Sequence, residues 1–145
     1  MTEVGTICRA LPMSPGSPAA LVLVTSVDES TQSAAVTLLS PDLELGANTD
    51  IVITSEDSGL AYALLAESDI FGYVWSAQLD RTLAQVGGQI VDAISALRQG
   101  NYVGCSVAGP PVLDRSDPRW NFKLTELERL RELTAHCTRQ LVDRA

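Results

Sequence analysis

The sequence predicts a mainly β protein with C-terminal helices, an α+β chain whose sheet is antiparallel. Three observations carry that expectation. The first eighty residues break into short segments rich in Val, Leu and Ile, divided by turn signals. The apolar pattern then changes from strand-like runs to a helical stripe. A Gly/Pro-rich connection follows, and after it a charged, amphipathic segment. Roughly five or six strands joined by short turns imply an antiparallel barrel or small sandwich, not alternating βαβ units. The 145 residues, 46% of them hydrophobic, suit one compact domain, or one domain with a short appendage.

Each element has its own signal. Val4 to Ala10 reads as a first strand, and Leu11 to Pro18, with three prolines, two serines and a glycine, must be a loop. Ala19 to Val27 is nearly continuous in apolar residues, as expected of a strand buried on both faces. Asp28 to Gln32 makes a turn, and Ser33 to Leu39 returns. After a polar loop at Ser40–Asn48, Thr49 to Thr54 alternates and ends in the turn signal Ser55-Glu-Asp-Ser-Gly59. Leu60 to Ala66 and Ile70 to Trp75 complete the strands. Leu79, Leu83, Val86, Ile90, Ile94 and Leu97 form one helical stripe. Gly87-Gly88 weakens it by about 1 kcal/mol per glycine and admits a break or late start. Asn101 to Pro118 is too punctuated for a helix. In the last segment Thr125 and Glu128 make a capping box, followed by Leu127, Leu130, Leu133, Cys137 and Leu141 at mostly helical spacing. The expected organisation is a body at 1–100, a connection at 101–118 and a C-terminal amphipathic helix at 119–145.

Charge narrows the function. From Ala10 to Asp80 there is no Lys, Arg or His, yet ten carboxylates. A surface that binds phosphates needs cations, so nucleic-acid binding through residues 10–80 is not expected. Residues 1–100 carry a net charge of −9 and residues 101–145 about +1. Cys8, Cys105 and Cys137 lie far apart without ligand spacing, which fits a reducing cytosol and argues against a disulfide framework or structural zinc. The Met-Thr-Glu-Val start lacks the features of a signal peptide, and the longest apolar run, Ala19 to Val24, is too short to span a bilayer. A cytoplasmic protein with no membrane association, no cofactor and no metal is expected. Ser40, Asp42 and His136 make a triad only on paper, because no nucleophile elbow surrounds any serine. Asp42, Glu44 and Asp50 lack the spacing of a calcium loop and read as a solvated loop. Phe71, Tyr73 and Trp75 read as core and dimer contacts, since stacking platforms for bases come with cations.

The order of pieces resembles the MazF/PemK-type toxins. The opening Gly5-Thr-Ile-Cys-Arg9, a Pro-rich loop and Pro18-Ala-Ala-Leu-Val-Leu-Val24 are similar to the family's Gly-Asp-Ile/Val start, mobile loop and Arg-Pro-Ala-Val-Val-Leu strand. Thr49 to Leu60 resembles its Val-rich hairpin. Glu67-Ser-Asp-Ile-Phe71 falls where the family has an Asp-Gln-followed strand, and Gln78-Leu79 with the stripe to Leu97 looks like its Arg-Leu plus closing helix. The resemblance covers roughly residues 4–100. It implies an SH3-like antiparallel barrel of the MazF/PemK type, a homodimer and a toxin–antitoxin setting. The family's activity is cleavage of single-stranded RNA by attack of the 2′-hydroxyl on the adjacent phosphate. That step needs a group to take the proton and a cation to stabilise the phosphorane.

The departures are chemical. Where the family places its Arg this chain has Ser17, and the family's hydroxyl is best matched by Ser40. Arg9 and Arg81 are the nearby replacement cations, and neither falls on the matching position. The related CcdB branch, which poisons gyrase, ends in Trp-Gly-Ile, whereas this chain ends Asp143-Arg-Ala145. The expectation is therefore a divergent toxin-fold protein that acts by binding a protein, an antitoxin or host protein, without ribonuclease activity. The alternative is an active sequence-specific mRNA endoribonuclease whose cations come from Arg9, Arg81 or the basic tail; a third is a small-molecule sensor using the barrel cleft. Interface residues are expected at Phe71, Tyr73, Trp75, Leu127, Leu130 and Leu141. The tail is expected either to occlude the groove or simply to pack.

Overall fold

Alternation along the strands puts apolar side chains on both faces of one sheet, and each face is closed by a helix. The protein, a computed structural model, is described at residues 2–100 and 107–144. Cys105 and the beginning of the expected 101–118 connection lie outside the described residues. The strands are β1 (Thr6–Ala10), β2 (Ala20–Asp28), β3 (Ser33–Ser40), β4 (Asp50–Ile53), β5 (Leu64–Trp75) and β6 (Leu79–Gln85). The helices are α1 (Ser55–Ser58), α2 (Gly88–Arg98) and α3 (Pro118–Arg144). The six strands form one sheet in the order β4-β5-β3-β2-β1-β6, with every pairing antiparallel. The antiparallel α+β class expected from the sequence is the class observed.

On one face Cys8, Ala10, Val22, Val24, Val36, Leu38, Ile70 and Val74 pack against Leu130 and Leu133 of α3. On the other, Ile7, Leu23, Leu39 and Leu64 pack against Ile90 and Ile94 of α2. This second cluster also takes Ile51 and Ile53 from β4 and Leu83 and Ala84 from β6, the two ends of the sheet. One helix touching both ends requires a curled sheet. The tail helix is thus a wall of the core.

The curl has a local cause. Leu39 pairs with Ala66 and Thr37 with Phe71, so β3 spends one residue where β5 spends four. Such a bulge bends the strand and turns extra residues out of the ladder. It explains why the expected strands Leu60–Ala66 and Ile70–Trp75 are a single bent strand. Bending there places Glu67 and Ser68 in the interior, 0% and 1% exposed. Gly5 ties the sheet's start: its N–H donates to Val24 O and its carbonyl accepts from Val86 N, both at 2.8 Å. It does so at φ +88°, where a Cβ would sit 2.8 Å from Val86 O, so glycine is required.

Three expectations are corrected. Residues 79–85 are strand β6, and the helix begins at Gly88. The stripe from Leu79 satisfies a helical period, but β6 adds to the open edge of β1 and the Gly87-Gly88 pair stops it. Thr125 does not cap α3. The helix starts seven residues earlier at Pro118, a residue suited to the first helical turn, and Thr125 Oγ1 donates to Asn121 O at 3.1 Å from within the helix. The capping box lies instead at Thr54 and Asp57, which turns the expected Ser55–Gly59 turn into α1.

Two outcomes follow from α3 being core. A chain ending at Gly100 loses Leu130 and Leu133 and exposes the sheet face they cover; we expect it to lose its cooperative melting transition, and a native-like transition in that fragment would refute the assignment. Gly72 lies under α3, where an added Cβ would be 2.9 Å from Thr134 Cγ2. Thr134 is pinned there by its own bond to Leu130 O at 2.9 Å. Gly72→Ala is expected to cost about 1–3 kcal/mol by overpacking, read as a lowered urea midpoint with an unchanged slope.

Candidate functional site

The residues matched to a ribonuclease site do not form one constellation. Arg9 and Arg81 are direct partners across β1 and β6, so both project to the α2 side of the sheet. Ser40 continues the alternation of Leu38 and faces the α3 side. It is 2% exposed, and its hydroxyl accepts from Asp42 N–H at 3.1 Å, closing the turn that ends β3. Ser17 lies in the loop before β2. The Arg9 guanidinium is engaged by Asp80, with Nη2–Oδ2 at 2.5 Å and Nε–Oδ1 at 3.0 Å. His136 lies at the far end of the sheet from Ser40. It accepts from Trp75 Nε1 at 2.9 Å, and Trp75 pairs with Ser33, seven residues from Ser40 along β3. That separation is about 23 Å of extended chain.

The expected interface residues divide in two. Leu130 is buried in the core and Leu127 packs on its rim; Leu141 is half-buried near the end of α3. Phe71 and Tyr73 remain 46% and 49% exposed on the α2 side of β5, beyond the part of the sheet that α2 covers. Trp75 joins α3 through His136.

Beside Phe71 stands a residue that sequence reasoning missed. Arg98, in the last turn of α2, reaches across the sheet. Its Nε donates to Ser68 O at 2.5 Å, and Nη2 donates to Thr37 Oγ1. Its guanidinium lies 3.9 Å from the Phe71 ring centroid, a stacking distance for a cation on a ring. Burial lowers its pKa, against the pull of Tyr73 and Asp69. Its only advance signal was a basic residue in the last turn of a short helix, which reads as helix-dipole complementation.

Under α3 lies a buried charge cluster. Lys123 Nζ is 2.5 Å from Asp50 Oδ1, 3.4 Å from Glu67 Oε1 and 3.7 Å from Asp69 Oδ1. Asp50 also accepts from Ala47 N–H at 2.8 Å and is 0% exposed, which corrects its reading as part of a solvated loop. Glu126, 2% exposed, holds Arg129 at 2.9 Å. With both carboxylates ionised, Glu67 Oε2 and Glu126 Oε1 have no hydrogen-bond partner; a proton on Glu67 supplies one. Burial, and then the neighbouring Glu126, push the Glu67 pKa up to about 9, with Lys123 pulling the other way. Burial opposes the charge on Lys123, but Asp50, Glu67 and Asp69 outweigh it and raise its pKa. A lysine held charged in this way is no nucleophile at neutral pH, and the cluster fastens α3 to the sheet. Its signal was legible in principle. Lys123, Glu126, Leu130, Leu133 and Cys137 follow one helical face, and charges on an otherwise apolar stripe mark buried partners. Among the described residues no group of His, Cys, Asp and Glu is arranged to hold a metal ion.

A carboxyl whose folded pKa lies above its unfolded value favours the fold most fully below the unfolded pKa. Between about pH 4.5 and 9 the folded protein holds a proton that the unfolded chain releases, so this group's contribution falls as pH rises through that window. Glu67→Gln keeps the shape, offers an N–H to Glu126 and has no proton to lose. We expect its Tm to exceed that of the wild type by several degrees near pH 8 and to converge with it near pH 4.5. Parallel curves across that range would show that Glu67 is ionised in the folded protein.

No family model matches the chain, and no curated protein matches its sequence. Among solved structures it is similar to the Mycobacterium tuberculosis toxin MazF-mt6, with 13% sequence identity and a TM-score of 0.49, over 64% of this chain and 93% of that one.

Proposed function

We propose that this protein is a divergent toxin-fold binding module that acts on a partner protein through the open half of its sheet and does not cleave RNA. The observation that carries this reading is the half-exposure of Phe71 and Tyr73 on a strand segment that β3 pairs on one side and that β4 does not reach. Two aromatic rings side by side on a rigid sheet offer large contact area at little entropic cost, the usual composition of an interface hot spot. The order of motifs that resembles the MazF/PemK toxins supports a toxin–antitoxin or growth-regulation setting. A homodimer whose contact lies beside the Phe71–Trp75 segment and leaves the Phe71 and Tyr73 rings open, and a cytoplasmic location, belong to the same proposal.

Against the ribonuclease alternative stand the opposite facings of Ser40 and the Arg9/Arg81 pair, and the capture of Arg9 by Asp80. A phosphorane needs its cation beside the attacked phosphate, in the same cleft as the hydroxyl. Single-stranded RNA containing all triplet contexts, incubated with the protein at low salt, is expected to stay intact. Cleavage that Ser40→Ala abolishes would overturn the proposal and establish the nuclease. In parallel, peptides selected from a displayed library on the immobilised protein are expected to lose at least about tenfold in affinity for the double variant Phe71→Ser/Tyr73→Ser, a loss of the size expected from truncated hot spots. Binders indifferent to that change would place the binding surface elsewhere.

A further inference from the structure

Arg98 differs from the ion-paired cations of the chain. Arg9 is paired with Asp80, Arg119 with Asp117, Lys123 with three carboxylates and Arg129 with Glu126. Arg98 is more deeply placed than Arg9, yet among the described residues no carboxylate comes within ion-pair distance of it. Its partners are a carbonyl, a hydroxyl and a ring. In a chain with net charge −8 an unpaired, partly desolvated guanidinium is costly, and an anion brought to it is correspondingly favoured. Arginine has five N–H donors in a planar fork. Nε and one Nη2 hydrogen are spent on Ser68 and Thr37, which fixes the plane of the fork. Among the described residues nothing takes Nη1 or the second Nη2 hydrogen, which leaves them for a ligand beside Phe71 and Tyr73.

We propose that Arg98, Phe71 and Tyr73 form a binding site for a carboxylate carried on a short apolar or aromatic peptide segment of a partner protein. The proposal rests on the reading of the open strand face as the binding surface and adds the chemistry recognised there. The guanidinium takes the carboxylate through its free fork, and the exposed rings take the neighbouring apolar side chains. The surroundings select a carboxylate over a phosphate polymer. The first hundred residues carry a net charge of −9, so a nucleic acid would bring many negative charges to an acidic body, whereas a peptide brings one. Asp69, half-exposed and electrostatically linked to Arg98, adds a penalty for any ligand of high charge density.

The test uses the full chain and two capped tripeptides, Ac-Leu-Asp-Phe-NH2 and its Asn counterpart, with binding followed at the Arg98 Nε–H resonance and by calorimetry. The Asp peptide is expected to bind saturably and at least about tenfold more tightly than the Asn peptide, the discrimination of one charged hydrogen-bonded pair. Arg98→Lys, which keeps the charge and loses the fork, should erase that preference, and Tyr73→Ala should weaken both peptides while leaving Arg98 in place. Unchanged melting of Tyr73→Ala shows that any loss reflects the surface and not the fold. Equal affinity for the two peptides, lost in Tyr73→Ala, would end the carboxylate assignment while leaving the strand-face reading intact. Absence of binding, or binding indifferent to both variants, would overturn the carboxylate assignment. So would tighter binding of inorganic phosphate or a single-stranded oligonucleotide at the same resonance. Self-association that occludes Phe71 and Tyr73 and is abolished by Tyr73→Ala would show that the face is reserved for a second copy, and would also overturn the assignment.

Discussion

Lys123 is the contact on which the arrangement of the whole molecule turns. A sheet with apolar residues on both faces must be covered twice, and the second cover comes from a helix far along the chain. Apolar packing alone would let that helix slide or rotate on the sheet, because dispersion contacts are non-directional. One ammonium seated 2.5 Å from the fully buried Asp50, with Glu67 beyond it, removes that freedom. Such a pair costs desolvation and yields little net stability, but breaking it leaves a buried charge without a partner. Its contribution is registration: it fixes which turn of α3 lies over which residue of β5, and so brings Thr134 onto Gly72 and His136 beside Trp75.

The same accounting separates the two sides of the sheet. On the α3 side polar groups are drawn inward, and Gln78 illustrates it by donating to both Leu11 O and Leu133 O. On the α2 side the helix is only eleven residues long and covers part of the sheet. What it leaves is a ledge with two aromatic rings and one guanidinium. The division of labour is plain: the long helix supplies rigidity, and the short one stops early enough to leave a surface.

Much of the fold was legible because strand periodicity is a local property. The expected strands Ala19–Val27 and Ser33–Leu39 lie within a residue of the observed β2 and β3. The errors arose where a non-local partner decided. Residues 79–85 carry a helical stripe, and only the waiting edge of β1 makes them a strand. Thr125 and Glu128 satisfy a capping rule, yet Pro118 and Asp117 start the helix earlier, with Asp117 accepting from Arg119 N–H. The site was less legible. Phe71 and Tyr73 read as core and dimer contacts, yet on β5 they stand half-exposed and outside the core, because their exposure depends on where α2 ends. Glu67 looked like one acid among ten, because a bulge that turns it inward is visible only when β3 and β5 are paired.

The buried cluster around Lys123 has a consequence for how this protein can change through descent. Lys123, Asp50, Glu67 and Glu126 come from three distant stretches of sequence, yet any one of them replaced alone by an apolar residue leaves a charge or a polar atom stranded in the interior. Their substitution costs are therefore strongly non-additive. Related chains should keep the four as a block or lose them together in favour of apolar side chains of similar volume. Intermediates with a single apolar replacement lie in a valley between those two solutions, so the residues should covary while much of the exposed acidic surface drifts freely.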